Sequence, residues 1–298
     1  MKKILAPVVL LIFAISAHAQ QRDFSQVQIK VTKVAGNVYM LEGSGGNIGV
    51  SVGADGILIV DDQFAPLADK IKAALKGLGG GKLRFILNTH WHGDHTGGNV
   101  VFGPEATIIA HDNVRKRLAT EQKSEVFKST TPASPKEALP VITFDQSLSV
   151  HFNGEDIRAI HFPHGHTDGD SVIFFTNSNV VHLGDDFFAG GRFPFVDLES
   201  GGSVEGLTKN IAELITRIPP TAKLIPGHGP ISTLDDLKNY HRMLVQTSEI
   251  VRQKMNAGKT LDQIKSEGLP EEWKPWGAGF IKTDAWIETI YKSATAKK

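Results

Sequence analysis

The sequence predicts an α/β chain built as a four-layer αββα sandwich, with two sheets packed face to face and helices outside. Two observations lead there. Short apolar, β-branched runs punctuated by Gly and Asn come in two blocks. Each block passes into segments whose apolar residues recur at helical spacing. Each half thus runs from sheet to helix, and packing one sheet on the other buries the strands of both. The order is compatible with a weak internal duplication, although no residue-level repeat is visible.

The elements follow in order. MKKILAPVVLLIFAISAHAQ opens with Lys2 and Lys3, runs apolar from Ile4 to Ile15 and closes on Ala17-His18-Ala19. This is the pattern of a signal peptide cut after Ala19. The apolar run is short for a bilayer span, and an uncleaved anchor is the alternative reading. The expected organisation is a signal peptide over 1–19 and one domain over 20–298, with C-terminal helices from about 233. The expected location is periplasmic or secreted, with no stable membrane insertion after cleavage.

VYMLEG, IGVSVGADG and ILIVDD read as hairpin strands. PLADKIKAALKGLGGG has helical spacing and a glycine stop, and LRFILNT reads as a buried strand. TIIAH is a short strand, DNVRKRLATEQKSEVF a helix, and STTPASPKEALP an exposed polar loop. A second β run begins at VITF and continues through LSVHF, IRAIHFP, SVIFFT and VVHLGD. VEGLTKNIAELITRI is then a helix, KLIPG a strand, and STLDDLKNYHRMLVQTSEIVRQKMNAG a long C-terminal helix.

Composition narrows the chemistry. The 298-residue chain balances 32 Lys and Arg against 32 Asp and Glu, and no basic stripe with interleaved aromatics occurs, so nucleic acid is not an expected partner. There is no cysteine. Disulfides and lipoprotein attachment are therefore excluded, and any metal ligands must be His, Asp or Glu.

THWHGDHTGGN, residues 89–99, gathers His90, His92, Asp94 and His95 just beyond the rigid strand LRFILNT. In extended backbone His90 and His92 project the same way. Asp94 and His95 lie past a glycine that permits a sharp turn. Imidazoles with a carboxylate and no thiol suit zinc, and also iron or manganese. A histidine-rich hydrated loop is the bland alternative, disfavoured by ligand type and spacing together.

His90-x-His92-x-Asp94-His95 resembles the signature of the metallo-β-lactamase-fold hydrolases, and four further motifs follow the family order. ILIVDD resembles the first, with Asp61 bracing the metal loop. HFPHGHTDGDS resembles the third, HLGDD the fourth and IPGHGP the fifth, supplying His166, Asp185 and His228. The resemblance covers roughly Ile29 to the early C-terminal helix and implies the αββα sandwich. Carried over, it implies one metal on His90, His92 and His166, and another on Asp94, His95 and His228, with Asp185 bridging. It also implies Asp94 as the catalytic group that orients a metal-bridged hydroxide or shuttles its proton.

The expected function is an exported zinc-dependent hydrolase holding two Zn2+, with Fe or Mn as alternatives, and acting on a small ester, lactone, amide or β-lactam. The signal peptide and NTHWHGDHTGGN are similar to the exported β-lactamase-like branch. Asp185, standing where the familiar binuclear lactamases carry cysteine, is similar instead to the glyoxalase-II-type ligand set. Phe188 stands where those lactamases carry a carboxylate-binding lysine, and Arg192 offers a cation from the next loop. The alternatives are an iron-dependent sulfur dioxygenase-like enzyme of the same fold and a non-catalytic metal-binding protein. FFAGGRFPFVDLESGGS is expected to form a flexible apolar wall beside the metals.

Other polar residues receive structural expectations. His161 and His164 flank the third motif, and His182 reads as a satisfied buried histidine. His111, His151 and His241 have no partner pattern. Asp168, Asp170 and Asp186 lie beside ligand positions; Asp170 is expected to brace the third loop in preference to binding metal, and Asp186 is a weaker candidate still.

Overall fold

The computed structural model describes residues 23–296, so the expected signal peptide lies outside the described residues. Nine strands come from the first half: β1 (Lys30–Ala35), β2 (Val38–Glu42), β3 (Ile48–Gly53), β4 (Gly56–Val60), β5 (Leu83–Asn88), β6 (Thr107–His111), β7 (Gln122–Ser124), β8 (Ser129–Thr131) and β9 (Ile142–Phe144). The second half supplies β10 (Ser147–Phe152), β11 (Glu155–His161), β12 (Ser171–Phe175), β13 (Val180–His182) and β14 (Lys223–Ile225). The first sheet has the order β1-β2-β3-β4-β5-β6-β9 and the second β10-β11-β12-β13-β14. Antiparallel hairpins build one side of each sheet, and parallel crossovers add β5, β6 and β9 to the first and β14 to the second.

Period-two alternation divides the buried residues between layers. In β4, Leu58 and Val60 enter the core between the sheets, where they join Ile157, Ile173 and Ile225 of the second sheet. Their neighbours Ile57 and Ile59 face outward onto Ile71 and Leu75 of α1 (Ala68–Leu78). A strand sandwiched on both faces is apolar throughout, as ILIV is. Gly79, at φ 80, ends α1 in a conformation that a side chain would strain.

Short helices α2 (Gly93–Thr96) and α3 (Asn99–Phe102) follow β5, and α4 (Asp112–Leu118) follows β6. On the outer face of the second sheet lie α5 (Val204–Arg217), α6 (Leu234–Asn256), α7 (Leu261–Glu267) and α8 (Thr283–Thr295). Leu207, Ile211, Met243, Leu244, Trp286 and Ile287 from these helices form a third core with the sheet. Thr233 and Asp236 close a capping box that starts α6. The αββα layering is therefore present. Among the described residues no helix is long and apolar enough to cross a membrane.

Three local expectations are corrected. The helix expected over DNVRKRLATEQKSEVF stops at Leu118, because the side-chain amide of Gln122 donates to the carbonyls of Arg117 and Thr120 and turns the chain. The chain beyond forms an antiparallel ribbon, with Gln122 opposite Thr131 and Ser124 opposite Ser129. STTPASPKEALP is accordingly not only an exposed loop. It contains β8 and a 3-10 turn, Lys136–Ala138, whose Ala138 is buried and accepts a hydrogen bond from Asn99. VITF belongs to the first sheet, since Ile142 pairs with Ile109 in parallel, and the second sheet starts at β10.

Candidate metal centre

The site lies where β4, β5 and the loops after β11 and β13 reach the same rim. Asp61 follows β4 at φ 64, an uncommon conformation for a residue with a side chain. It turns its buried carboxylate onto the loop after β5. Oδ1 accepts from the Thr89 backbone N–H at 2.8 Å, while Oδ2 accepts from Thr89 Oγ1 and meets His95 Nδ1, both at 2.7 Å. The bracing expected of Asp61 is thereby seen in the contacts it makes.

Every imidazole of the cluster except that of His228 has one nitrogen held by the chain, which leaves the other for the centre. His90 Nδ1 lies 3.0 Å from Thr89 Oγ1, and its buried Nε2 has no hydrogen-bond partner. His166 Nδ1 lies 2.7 Å from the Phe195 carbonyl. His92 is turned the other way, with Nε2 2.9 Å from Asp197 Oδ2 and Nδ1 2.9 Å from His166 Nε2.

Asp185 sits in the middle. Its Oδ2 lies 3.5 Å from both His166 Nε2 and His228 Nε2 and 4.0 Å from His90 Nε2. Its Oδ1 lies 3.1 Å from His95 Nε2, yet neither atom has a hydrogen-bond partner. Asp94 Oδ2 approaches His228 Nε2 at 3.4 Å. Three overlapping groups, His90-His92-His166, His90-His95-Asp185 and Asp94-His95-His228, keep their ligand atoms within 4.8 Å of one another. All seven residues singled out from the sequence are brought together.

Orphaned buried donors and acceptors converging from several elements fit a cation better than a hydrogen-bond network, which would leave them unmade at a cost of about 1–3 kcal/mol each. The charges agree. Burial works against ionised Asp185, yet His228, His95 and His166 hold its carboxyl well below the usual range. Burial also works against protonated His228, but Asp185 and Asp94 push it up to about 9. His95 is raised in the same way against burial, chiefly by Asp185 and Asp61. His90 is lowered, first by burial and then by His95. A cluster that gathers positive charge around fixed carboxylates is ready to exchange protons for metal.

Asp197 was not singled out by sequence reasoning. Its Oδ1 accepts from the backbone N–H groups of Glu199 and Ser200, both at 3.1 Å, while Oδ2 holds His92. The only local signal is an Asp in a capping position within FVDLES, which does not announce a partner so distant in sequence.

The other expectations resolve individually. His182 is buried, with Nε2 3.0 Å from the Asn47 carbonyl. Asp170 accepts from Thr167 N at 2.7 Å and braces the third loop, and Asp186 accepts from His166 N at 3.3 Å. Asp168 pairs with Arg117 at 2.8 Å. His164 is exposed, 3.0 Å from the Gly201 carbonyl. His111 does have partners: it accepts from Asn113 N at the start of α4 and stacks on His161 at 3.6 Å. His151 pairs with Asp156 on the surface.

A cavity of about 690 Å3 opens over the cluster, with His92, Asp94, Asp185 and His228 in its wall. Phe188 stacks on His228 at 5.1 Å, and Phe193, Phe195 and Arg192 also line the cavity, which places part of FFAGGRFPFVDLESGGS beside the cluster.

The family described as the metallo-beta-lactamase superfamily matches residues 31–228. An atrochrysone carboxyl ACP thioesterase of Cryptosporiopsis sp. is 28% identical over 83% of this chain and 67% of its own. A lactamase-like protein of Arthroderma benhamiae is 29% identical over 64% of this chain and 37% of its own. A hydroxyacylglutathione hydrolase of Nitrosococcus oceani is 23% identical over 59% and 62%. The chain thus spans between 37% and 67% of the length of these curated relatives. Among solved structures, DIM-1 metallo-beta-lactamase superposes with a TM-score of 0.59 at 18% identity, covering 74% of this chain and 98% of that one. A sec-alkyl sulfatase, PisA1, superposes with a TM-score of 0.67 at 15% identity, covering 91% and 51%. At these identities the structural likeness concerns the fold.

Proposed function

The chain belongs to the metallo-β-lactamase superfamily, and from that premise we propose that it is an exported, zinc-dependent hydrolase of a small carboxylic ester, thioester or lactone. The observation that carries this reading is the position of Asp185 between two triads, with Oδ2 near His166 and His90 of one and His228 of the other, and Oδ1 near His95. His90, His92 and His166 would hold one ion, Asp94, His95 and His228 the other, with Asp185 facing both. When bound, such a pair supplies a water activated near neutral pH and polarises the acyl oxygen.

The chain's own residues do the rest. Asp94 is held ionised against burial by His95 and His228 and reaches the cavity wall, where its carboxylate can accept a hydrogen bond from a water and orient it. Asp61 and Asp197 fix the rings of His95 and His92. Phe188 covers His228 and keeps water from that side of the ring. The absence of a thiol at Asp185, and of an ammonium at Phe188, favours esters and thioesters over dedicated lactam hydrolysis. The relatives named as thioesterase and hydroxyacylglutathione hydrolase support the same choice.

The test is metal analysis of the purified protein with a panel of esters, thioesters, lactones and a chromogenic β-lactam. Two zinc ions per chain and turnover of a carboxylic ester or thioester are expected. Iron with sulfur-dependent oxygen uptake, or no turnover of any panel member by the zinc-loaded protein, would overturn the reading. Export is tested by N-terminal sequencing of the protein from its host, with Gln20 expected first.

A further inference from the structure

Resting on the hydrolase reading above, the cavity carries information about the body of the substrate. Its lining includes His92, Asp94 and His228 together with Phe127 and Phe280. The wall is largely apolar, with Phe64, Trp91 and Val100 facing it. Of the lining rings, Phe127 is 51% exposed and Phe280 73% exposed, so both sit where the cavity meets solvent. Contiguous exposed apolar rings mark a binding surface and not a core, and here they line the same cavity as the polar centre.

These rings form a continuous path. Phe127 lies 6.3 Å from Phe280 and 5.2 Å from Phe195, and Phe195 lies 5.8 Å from both His92 and His166. The ribbon that carries Phe127 is tied down. Glu125 N donates to the Glu199 carboxylate at 3.1 Å, and Phe127 N donates to Ser124 Oγ at 3.2 Å. Phe280 comes from the far end of the chain, just before α8. Two distant segments therefore present unburied rings to one opening.

We propose that this aromatic mouth receives a large apolar group of the substrate, so that the enzyme acts on esters or thioesters carrying an extended alkyl or aryl body. Hydrolysis consumes one water, breaks the acyl C–O or C–S bond and yields a carboxylic acid with an alcohol or thiol. The apolar group adjoins the scissile bond on either its acyl or its leaving side, and burying it with the two phenylalanines is worth about tenfold or more in specificity.

The experiment uses the full-length zinc-loaded protein and two substrate series. One is acetyl, decanoyl and naphthoyl thioesters of a small thiol, and the other is acetate esters of ethanol, decanol and naphthol. In at least one series the wild type is expected to prefer the large member by about tenfold or more in kcat/KM. Phe127→Ala/Phe280→Ala should collapse that ratio, and Phe127→Leu/Phe280→Leu, which keeps apolar area, should restore most of it. No preference in either series, or a preference that survives in the alanine protein, would refute the proposal. If nothing at all is hydrolysed, the hydrolase reading fails separately. Fluorescence titration with the neutral probe N-phenyl-1-naphthylamine then decides the mouth, because the alanine protein should bind it at least about fivefold more weakly. Equal binding would refute the mouth as well.

Discussion

Asp197 Oδ2 lies 2.9 Å from His92 Nε2, so His92 meets the centre through Nδ1, the opposite nitrogen from His90 and His166. Burial opposes ionised Asp197, but the hydrogen bond and charge of His92 hold its carboxyl down to about 2. Asp197→Asn removes that charge while keeping the shape. It should weaken the site made by His90, His92 and His166 by about 10–100-fold, read by competition with a chromogenic chelator. Unchanged affinity would show that ring orientation is set elsewhere.

The metal-free protein should have a characteristic dependence on pH. His228 is raised from 6.5 to about 9 in the fold, so its contribution is complete below pH 6.5 and is lost as pH rises through about 9. His90 is lowered, so it acts in the opposite sense and costs stability as pH falls below 6.5. The melting temperature of the metal-free protein should therefore peak near neutrality. Zinc must displace the protons on His228 and His95, so binding releases protons and tightens as pH rises toward 9. Calorimetry in two buffers of different ionisation enthalpy measures the release, and buffer-independent heats would contradict it.

His90→Ala and His166→Ala should each abolish turnover and lower bound metal to one ion or fewer. Asp185→Asn should cost the ion on Asp94, His95 and His228 more than the other, since Asp185 makes its shortest approach, 3.1 Å, to His95 and also lies 3.5 Å from His228. Inductively coupled plasma analysis after dialysis separates the cases. Two tightly retained ions in the Asn protein would remove Asp185 from its place between the triads.

Gly227→Ala is a sharper probe than a ligand substitution. A Cβ there would collide with Asp185 Oδ1 and with the Gly184 backbone. The carboxylate would be displaced while every ligand remained chemically intact, and kcat should drop by about tenfold or more. Retained metal with wild-type kcat would indicate that Asp185 tolerates movement.

The layers were legible because ILIV is apolar in the manner of a strand covered on both faces, and helical spacing marks α1, α5 and α6. The seven clustered residues were legible because His, Asp and Gly recur at rim positions in five ordered motifs. The ribbon around Phe127 was not. Helical spacing holds through Leu118, and the side-chain amide of Gln122, which turns the chain, reads locally as one more helix-compatible residue. The placement of β9 was hidden too, because an apolar run states that it is a strand without naming the neighbour that will accept it. Asp197 belongs with these, since its partner His92 is fixed only once the two halves pack.

Each triad draws two residues from the first half and one from the second: His90 and His92 with His166, Asp94 and His95 with His228. An ion on either triad would join distant parts of the chain as a staple, stabilising the folded state because the unfolded chain does not hold its ligands together. Disulfides can supply such cross-links, and this chain has no cysteine with which to make one. Metal supply, instead of the redox state of the surroundings, would then set how firmly the two sheets are held together.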